Sequence, residues 1–385
     1  MKNNRRGFIK KGASLAAVMT LGGAPISYSK NYNSLRTVEK EVKPFVRDAG
    51  MKFALAMGPD SPRVPYAKQM DVMHAVSGVI RNKNLKPWEP QAIIATKEAW
   101  ESQGMKWTVV EGPPALGEQT KLALSGRDEE IENFITFMKN LKKHGGVDTI
   151  CYNWMPVISW ARTDKNTLAR GGAIVSSFDY NDIKNEPLTE YGEISKEALW
   201  KNLEYFLKAV VPEAEKIGMN LSLHPDDPQV HSIRGISRIM NSVENFDKML
   251  DLYPSKYSGL TMCQGNFSLM GKEIPSLIRR WGKRGAINFV HFRNIREQSG
   301  QLPSVKFTET FHDEGDIDMY EAMKAYYDIG FQGTIRPDHV ATLEGETNER
   351  QGYMTLGTLY AMGYIRGLAE SVSKERSAKK MISEG

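Results

Sequence analysis

Four short apolar runs in this chain end on, or carry near their end, a side chain that can ligate a metal. "NLSLHP" (220–225) reaches His224, "SGLTMC" (258–263) closes on Cys263, "INFVHFRN" (287–294) carries His291, and "GTIRPDH" (333–339) ends in Asp338 and His339. Two imidazoles, a thiolate and a carboxylate form a donor set suited to a borderline divalent cation such as Mn, Fe or Zn. Taken singly, each has an ordinary explanation. A histidine at a strand end is commonly a hydrogen-bonded packing residue, a buried cysteine a small hydrophobe, and an aspartate after Pro337 a turn residue. The set gains meaning only if the four runs are neighbours.

The same run ends hold further polar groups. Arg293 and Asn294 follow His291, and Arg336 precedes Asp338. Guanidinium forks pair bidentately with carboxylates, so these residues are candidates for binding an acid substrate. Salt bridges within the rim are the plainer use. His312, with Glu309 in "FTETFHDEGDIDM", falls on the loop after the run that holds His291 and joins the substrate-binding candidates. Tyr353, in "QGYMTLG", is read as the start of the last helix, from which it can point back at the run ends.

What would bring these ends together is the order of elements. Eight strand candidates, 52–58, 75–80, 105–112, 149–155, 220–225, 258–263, 287–294 and 333–339, alternate with helical stretches whose apolar positions recur at three and four. That alternation predicts parallel strands with crossover helices. Eight repeats predict a closed α/β barrel, a single-domain (β/α)8 TIM-type fold over residues 50–372. In such a barrel the chemistry sits at the strand ends, so the four donors become part of one ring. Residues 155–195, rich in Gly, Asn and Asp, read as a long loop over the site, and 373–385 as a polar tail.

Bulk properties exclude more than they assign. The formal charge is +5, with 51 basic residues nearly balanced by 46 acidic ones, and part of the excess sits at the two ends. Nothing here asks for a nucleic-acid partner. Two cysteines, Cys151 and Cys263, make no disulfide framework. Residues 1–29 have the layout of an export signal: Arg5-Arg6 before Gly7-Phe8-Ile9-Lys10, then an apolar core from Ala13 to Leu21 that is too short to span a bilayer. The arginine pair resembles the twin-arginine pattern, which predicts a periplasmic protein, the translocation machinery as a partner and no stable membrane insertion after cleavage. Twin-arginine export moves folded proteins, so a Mn or Fe site filled before export would escape competition from zinc and copper. Retention as an anchor and the oligomeric state, a homo-oligomer included, stay open.

The motifs "CYNWMPVISWARTD", "HPDDP", "MCQGN", "HFRN", "GDIDMYE", "RPDH" and "GY", in this order, make the chain resemble the mannonate dehydratase family of sugar-acid dehydratases from about Lys52 to Glu370. The resemblance implies a TIM-type barrel, a Mn2+ or Fe2+ cofactor, and loss of water from D-mannonate to give a 2-keto-3-deoxy sugar acid. It implies metal ligation by His224, Cys263, His291 and Asp338, and proton transfer by His339 and Tyr353. His339 is assigned as base and Tyr353 as acid, and the reverse assignment stays open. The chain departs from the family where the second strand ends, reading "AVSGVIRNKN" in place of a His pair, and where Val340 follows "RPDH". The stretch between "WARTD" and "HPDDP" is also shorter than in some members, and an export signal is foreign to a cytoplasmic pathway. These departures bear on the substrate, for which a related aldonate or a uronate derivative would serve. The competing readings are a TIM-barrel sugar isomerase or epimerase, which usually ligates metal through Glu, Asp and His, and a periplasmic sugar-acid binding protein without turnover.

Overall fold

The structure, a computed structural model, describes residues 50–384; the expected export signal lies outside the described residues. Eight parallel strands close into a barrel. They are β1 Lys52–Ala56, β2 His74–Val76, β3 Lys106–Glu111, β4 Thr149–Asn153, β5 Asn220–His224, β6 Ser258–Cys263, β7 Ile287–Phe292 and β8 Thr334–Pro337. Each pairs with its neighbours in sequence, and β1 pairs with β8 to close the ring. The expected (β/α)8 barrel is the observed one.

Strand periodicity explains how continuous apolar runs yield a polar site. Successive side chains point to opposite faces. Leu221, Leu223, Leu260, Met262, Val290 and Ile335 belong to the large core between barrel and helices. Ala54, Val76, Val109, Cys151 and Phe289 form a separate, smaller cluster. The alternate residues Ser222 and Thr261 bond each other at 2.8 Å, and Thr261 donates to Cys151 Sγ at 3.2 Å, which places this set inside the barrel. Counting by twos from Ser222, Thr261 and Phe289 reaches His224, Cys263 and His291. Inward orientation of the donors therefore follows from pleat parity.

The outer ring includes helices Pro90–Ser102, Arg127–Asn140, Lys196–Ile217, Val243–Leu252, Ile274–Lys283 and Met319–Asp328. Ser195, Ser242 and Asp318 cap three of them by accepting a backbone N–H from the first turn. Trp100 and Trp281, fully buried, anchor two of these helices, and each such side chain contributes roughly 1.5–3 kcal/mol by leaving water. No described helix is long and apolar enough to cross a membrane.

Three expectations need correction. The second strand is only His74–Val76, and residues 77–80 leave the sheet. The region 155–195 is not simply a loop. Asp164–Leu168 and Ile174–Asp179 join Lys306–Glu309 and Ile295–Glu297, from the segment after β7, in an antiparallel four-stranded sheet. Phe178 and Phe307 stack at 5.6 Å to hold its centre. Finally, the segment read as a polar tail continues the last helix, Thr355–Glu384.

Candidate metal and catalytic centre

Strand register sets the donors side by side. Cys263 is paired with His291 and His291 with Arg336, while His224 ends the neighbouring β5. His224 Nε2 lies 3.1 Å from His291 Nδ1. Asp338 Oδ2 lies 3.5 Å from His291 Nδ1 and 3.9 Å from Cys263 Sγ. Donor atoms of His224, Cys263 and His291 fall within 4.8 Å of one another. All four expected ligands thus share one location.

The electrostatics of this cluster fit a cation. Burial would raise the Cys263 thiol, but Arg293, 3.5 Å from Sγ, and hydrogen bonds with His224 and His291 bring it down to about 6, so it favours the thiolate form that binds metal. Burial and Arg336 push His291 down, yet Glu111 and Asp338 outweigh them and lift it well above the ordinary imidazole range. The donors therefore attract positive charge strongly, and a divalent ion meets the same demand. His224 turns Nδ1 to the Pro225 carbonyl at 2.7 Å, fixing its tautomer with Nε2 toward the cluster. Residues present and chemistry required agree.

Behind the donors lies a clamp. Glu111, at the end of β3, faces His291 Nε2 at 3.3 Å. Arg336 grips Glu111 through Nε and Nη2 at 3.1 and 2.8 Å, and reaches Asp338 Oδ1 through Nη1 at 2.7 Å. One guanidinium thus orients both the Asp338 carboxylate and the Glu111 carboxylate that faces His291. Glu111, Cys151 and His291 form a second group of close donor atoms sharing that histidine.

Beside the cluster stand the two proton-transfer candidates. His339 has φ of +44°, a left-handed conformation held where Val340 pairs with Gly352. A Cβ at Gly352 would approach the His339 Cα to 3.3 Å, and Gly352 itself has φ of +77°, so glycine is required there. His339 Nδ1 bonds Glu309 Oε1 at 2.8 Å, and its ring meets Trp160 and Tyr353 edge-on at 5.6 and 5.9 Å. Tyr353 donates to Asp338 Oδ1 at 2.7 Å; burial and that carboxylate push its phenol further above the usual range. It lies two residues before the last helix begins, not on it. His224, His291, Asp338, His339, Tyr353, Trp160, Arg336 and Glu111 all line one cavity of about 300 Å³.

The D-mannonate dehydratase (UxuA) family profile matches residues 66–189 and 182–379. The chain belongs to the D-mannonate dehydratase family. The mannonate dehydratase of Streptococcus uberis is 36% identical over 313 residues, covering 74% of this chain and 88% of that protein. Mannonate dehydratase 2 of Halalkalibacterium halodurans is 32% identical over 341 residues, 82% and 96% of the two chains. The crystal structure of mannonate dehydratase from Streptococcus suis superposes with a TM-score of 0.78 at 31% identity, covering 85% of this chain and 96% of that one. A D-tagatose 3-epimerase-like protein shares the fold, with a TM-score of 0.54 at 14% identity.

Of the four expected substrate contacts, only Arg336 lines the cavity. Arg293, fully buried, spends its guanidinium on Glu309, Asp227 and Asn266 and faces the Cys263 sulfur. Asn294 is a backbone tie: it donates to the carbonyls of His312 and Ile317 and accepts from the N–H groups of Ile295 and Ile317. Gly315 makes room for it, since a Cβ there would meet Asn294 Oδ1 at 2.1 Å. His312 is buried behind the site, and burial lowers it to about 4, so it is neutral. Sequence reasoning missed Arg162, Glu111 and Asp227. Arg162, buried, bonds Asp227 bidentately at 2.6 and 3.1 Å and Glu309 at 2.6 Å. The acidic pair in "HPDDP" and the Arg in "WARTD" were the available signal, but not their pairing.

Proposed function

We propose that this protein is a metal-dependent hydro-lyase that removes water from D-mannonate, or a closely related aldonate, to give the 2-keto-3-deoxy acid. One observation carries the reading: in a member of this family, His339 and Tyr353 share a small cavity with two imidazoles and a carboxylate, and the Cys263 sulfur stands 3.9 Å from that carboxylate.

Glu309 sets the tautomer of His339. Burial alone would raise its carboxyl, but Arg293, His339 and Arg162 bring it down to about 2, so it is ionised and accepts the Nδ1 proton. With Nδ1–H given to Glu309, the lone pair of the base form lies on Nε2, 3.8 Å from Asp338 Oδ1. That lone pair takes the proton from C2 of the substrate. Tyr353, its phenol held protonated, gives a proton to the departing C3 hydroxyl, which leaves as water. The resulting enol becomes the ketone by protonation at C3. His224, Cys263, His291 and Asp338 would hold a divalent cation, which would supply Lewis acidity beside the acid group of the substrate. Trp160, edge-on to the His339 ring, lines this end of the cavity.

The direct assay is α-keto acid formation from an aldonate panel by metal-loaded protein. D-Mannonate or a close relative should respond, and His339→Asn should reduce kcat by about 10²–10⁴ with metal content preserved. Metal-loaded protein that forms no keto acid from any aldonate would overturn the reading. For the ion we infer Mn2+ or Fe2+; reconstitution of metal-free protein with Mn, Fe and Zn, scored by turnover, decides it, and highest activity with Zn would reject the assignment.

We also infer export to the periplasm by the twin-arginine route, from the Arg5-Arg6 head and the short apolar core after it. Replacing both arginines by lysine should retain the protein in the cytoplasm. Unchanged fractionation would discard the inference.

A further inference from the structure

The donor cavity adjoins a second recess of about 500 Å³, the two sharing Glu111, Arg336 and Tyr353 as walls. Its remaining wall is made by the tips of β1 and β2 with Arg350: Ala56 to Asp60, Val76 to Arg81, and the segment before Tyr353. Here the second strand gives way to "SGVIR".

The charges on this recess do not balance. Arg81 and Arg350 are exposed on its wall, and no ion pair forms between either one and a described carboxylate. Arg63 lies beneath the Ala56 wall at 4% exposure. Its Nη2 donates to the Ala56 carbonyl at 2.7 Å and its Nη1 to Thr358 Oγ1 at 3.5 Å, yet among the described residues it too has no carboxylate partner. Burial, then Arg350 and Arg336, push Arg63 down to about 10. Against these cations stand Glu111, already gripped by Arg336, and Asp60. A buried guanidinium without a counter-ion is costly to keep, and an anion in the recess would relieve it.

We propose that this recess is a subsite for a second anionic group, carried at the end of the substrate remote from the reacting carboxylate. The proposal rests on the dehydratase reading and extends its substrates beyond D-mannonate to sugar acids with two anionic ends: an aldarate, or an aldonate phosphorylated at its far terminus. Carboxylate and phosphate share the chemistry that arginine forks recognise.

The test compares kcat/KM of the metal-loaded enzyme for D-mannonate, D-mannarate and 6-phospho-D-mannonate. Wild type should favour at least one doubly charged compound, and the better of the two names the end group. Arg350→Gln and Arg81→Gln should each lower the ratio of dianion to D-mannonate about tenfold, as loss of one charge-assisted contact would. No preference in wild type, or a ratio unmoved by both variants, would overturn the subsite. If none of the three compounds yields keto acid, the dehydratase reading is what has failed. Calorimetric binding of D-mannarate to wild type and the same variants then decides the subsite: a weakened Kd in the variants sustains it, and equal values reject it.

Discussion

The centre is assembled from two regions built on different principles. The donors sit on a closed ladder, where pairing on both sides of each strand fixes height and facing: Asn153 beside His224, Cys263 beside His291, His291 beside Arg336. The orienting groups for His339 come instead from the inserted sheet. Glu309 ends its strand Lys306–Glu309, and Arg162 lies just before the strand Asp164–Leu168. The barrel thus places the proposed ion site, and the insertion aims His339, the proposed proton-transfer residue. Damage to the first should appear as lost metal, and damage to the second as lost turnover with metal kept.

The largest effect should come from Cys263→Ala. Removing a thiolate donor should cost on the order of a hundredfold or more in metal affinity, above what loss of an outer partner costs, and turnover should fall with it. Metal analysis of wild type and variant checks this; equal content would remove Cys263 from the donor set. Glu111→Gln comes next. It keeps the shape but weakens the carboxylate facing His291 Nε2, and metal affinity should fall about 10–100-fold by titration. An unchanged affinity would mean that His291 needs no such support.

Arg162→Met probes the other region. It strips the fully buried Asp227 and Glu309 of one of their two shared cations, leaving Arg293, so stability should drop by up to about 3–5 kcal/mol in urea unfolding. His339 loses the lock on its orienting carboxylate, so kcat should fall while metal content stays at the wild-type level. If this variant loses metal as Cys263→Ala does, the division between the two regions is wrong.

That division also explains what could be read in the sequence. Barrel strands are apolar on both faces and helices alternate with them, so all eight strand positions and the shared location of His224, Cys263, His291 and Asp338 were legible. The inserted sheet was not. "DKNTL" is polar and mostly exposed, and its neighbour Ile174–Asp179 pairs onward with Lys306–Glu309, well over a hundred residues away, so no local periodicity marks the sheet. Arg293 and Asn294 look like substrate contacts because they follow a donor in "HFRN". Only the fold shows that the chain turns there, sending Arg293 under the sulfur and Asn294 into a backbone tie. Buried ion pairs carry no mark of their partner in either residue's neighbourhood. That is why Arg162 with Asp227, and Glu111 with Arg336, escaped notice.

The smallest effect separates the neighbours in "HPDDP". Asp227 is held far below the usual carboxylate range: burial opposes ionisation, but Arg162 and Arg293 overcome it. Asp226 meets the same burial with less help. Arg238 stands 3.9 Å away, Oδ2 accepts the Met240 N–H at 2.8 Å, and Oδ1 has no hydrogen-bond partner, so its carboxyl rises from 3.8 to about 6. An acid with a raised folded pKa binds its proton more tightly when folded. Its contribution is fully present below the unfolded value and is lost as pH rises through the folded one. Unfolding of chelator-treated wild type, compared with Asp226→Asn, should therefore show wild type losing relative stability between about pH 4 and pH 7. Parallel pH profiles for the two proteins would place Asp226 with Asp227, as a carboxylate ionised throughout.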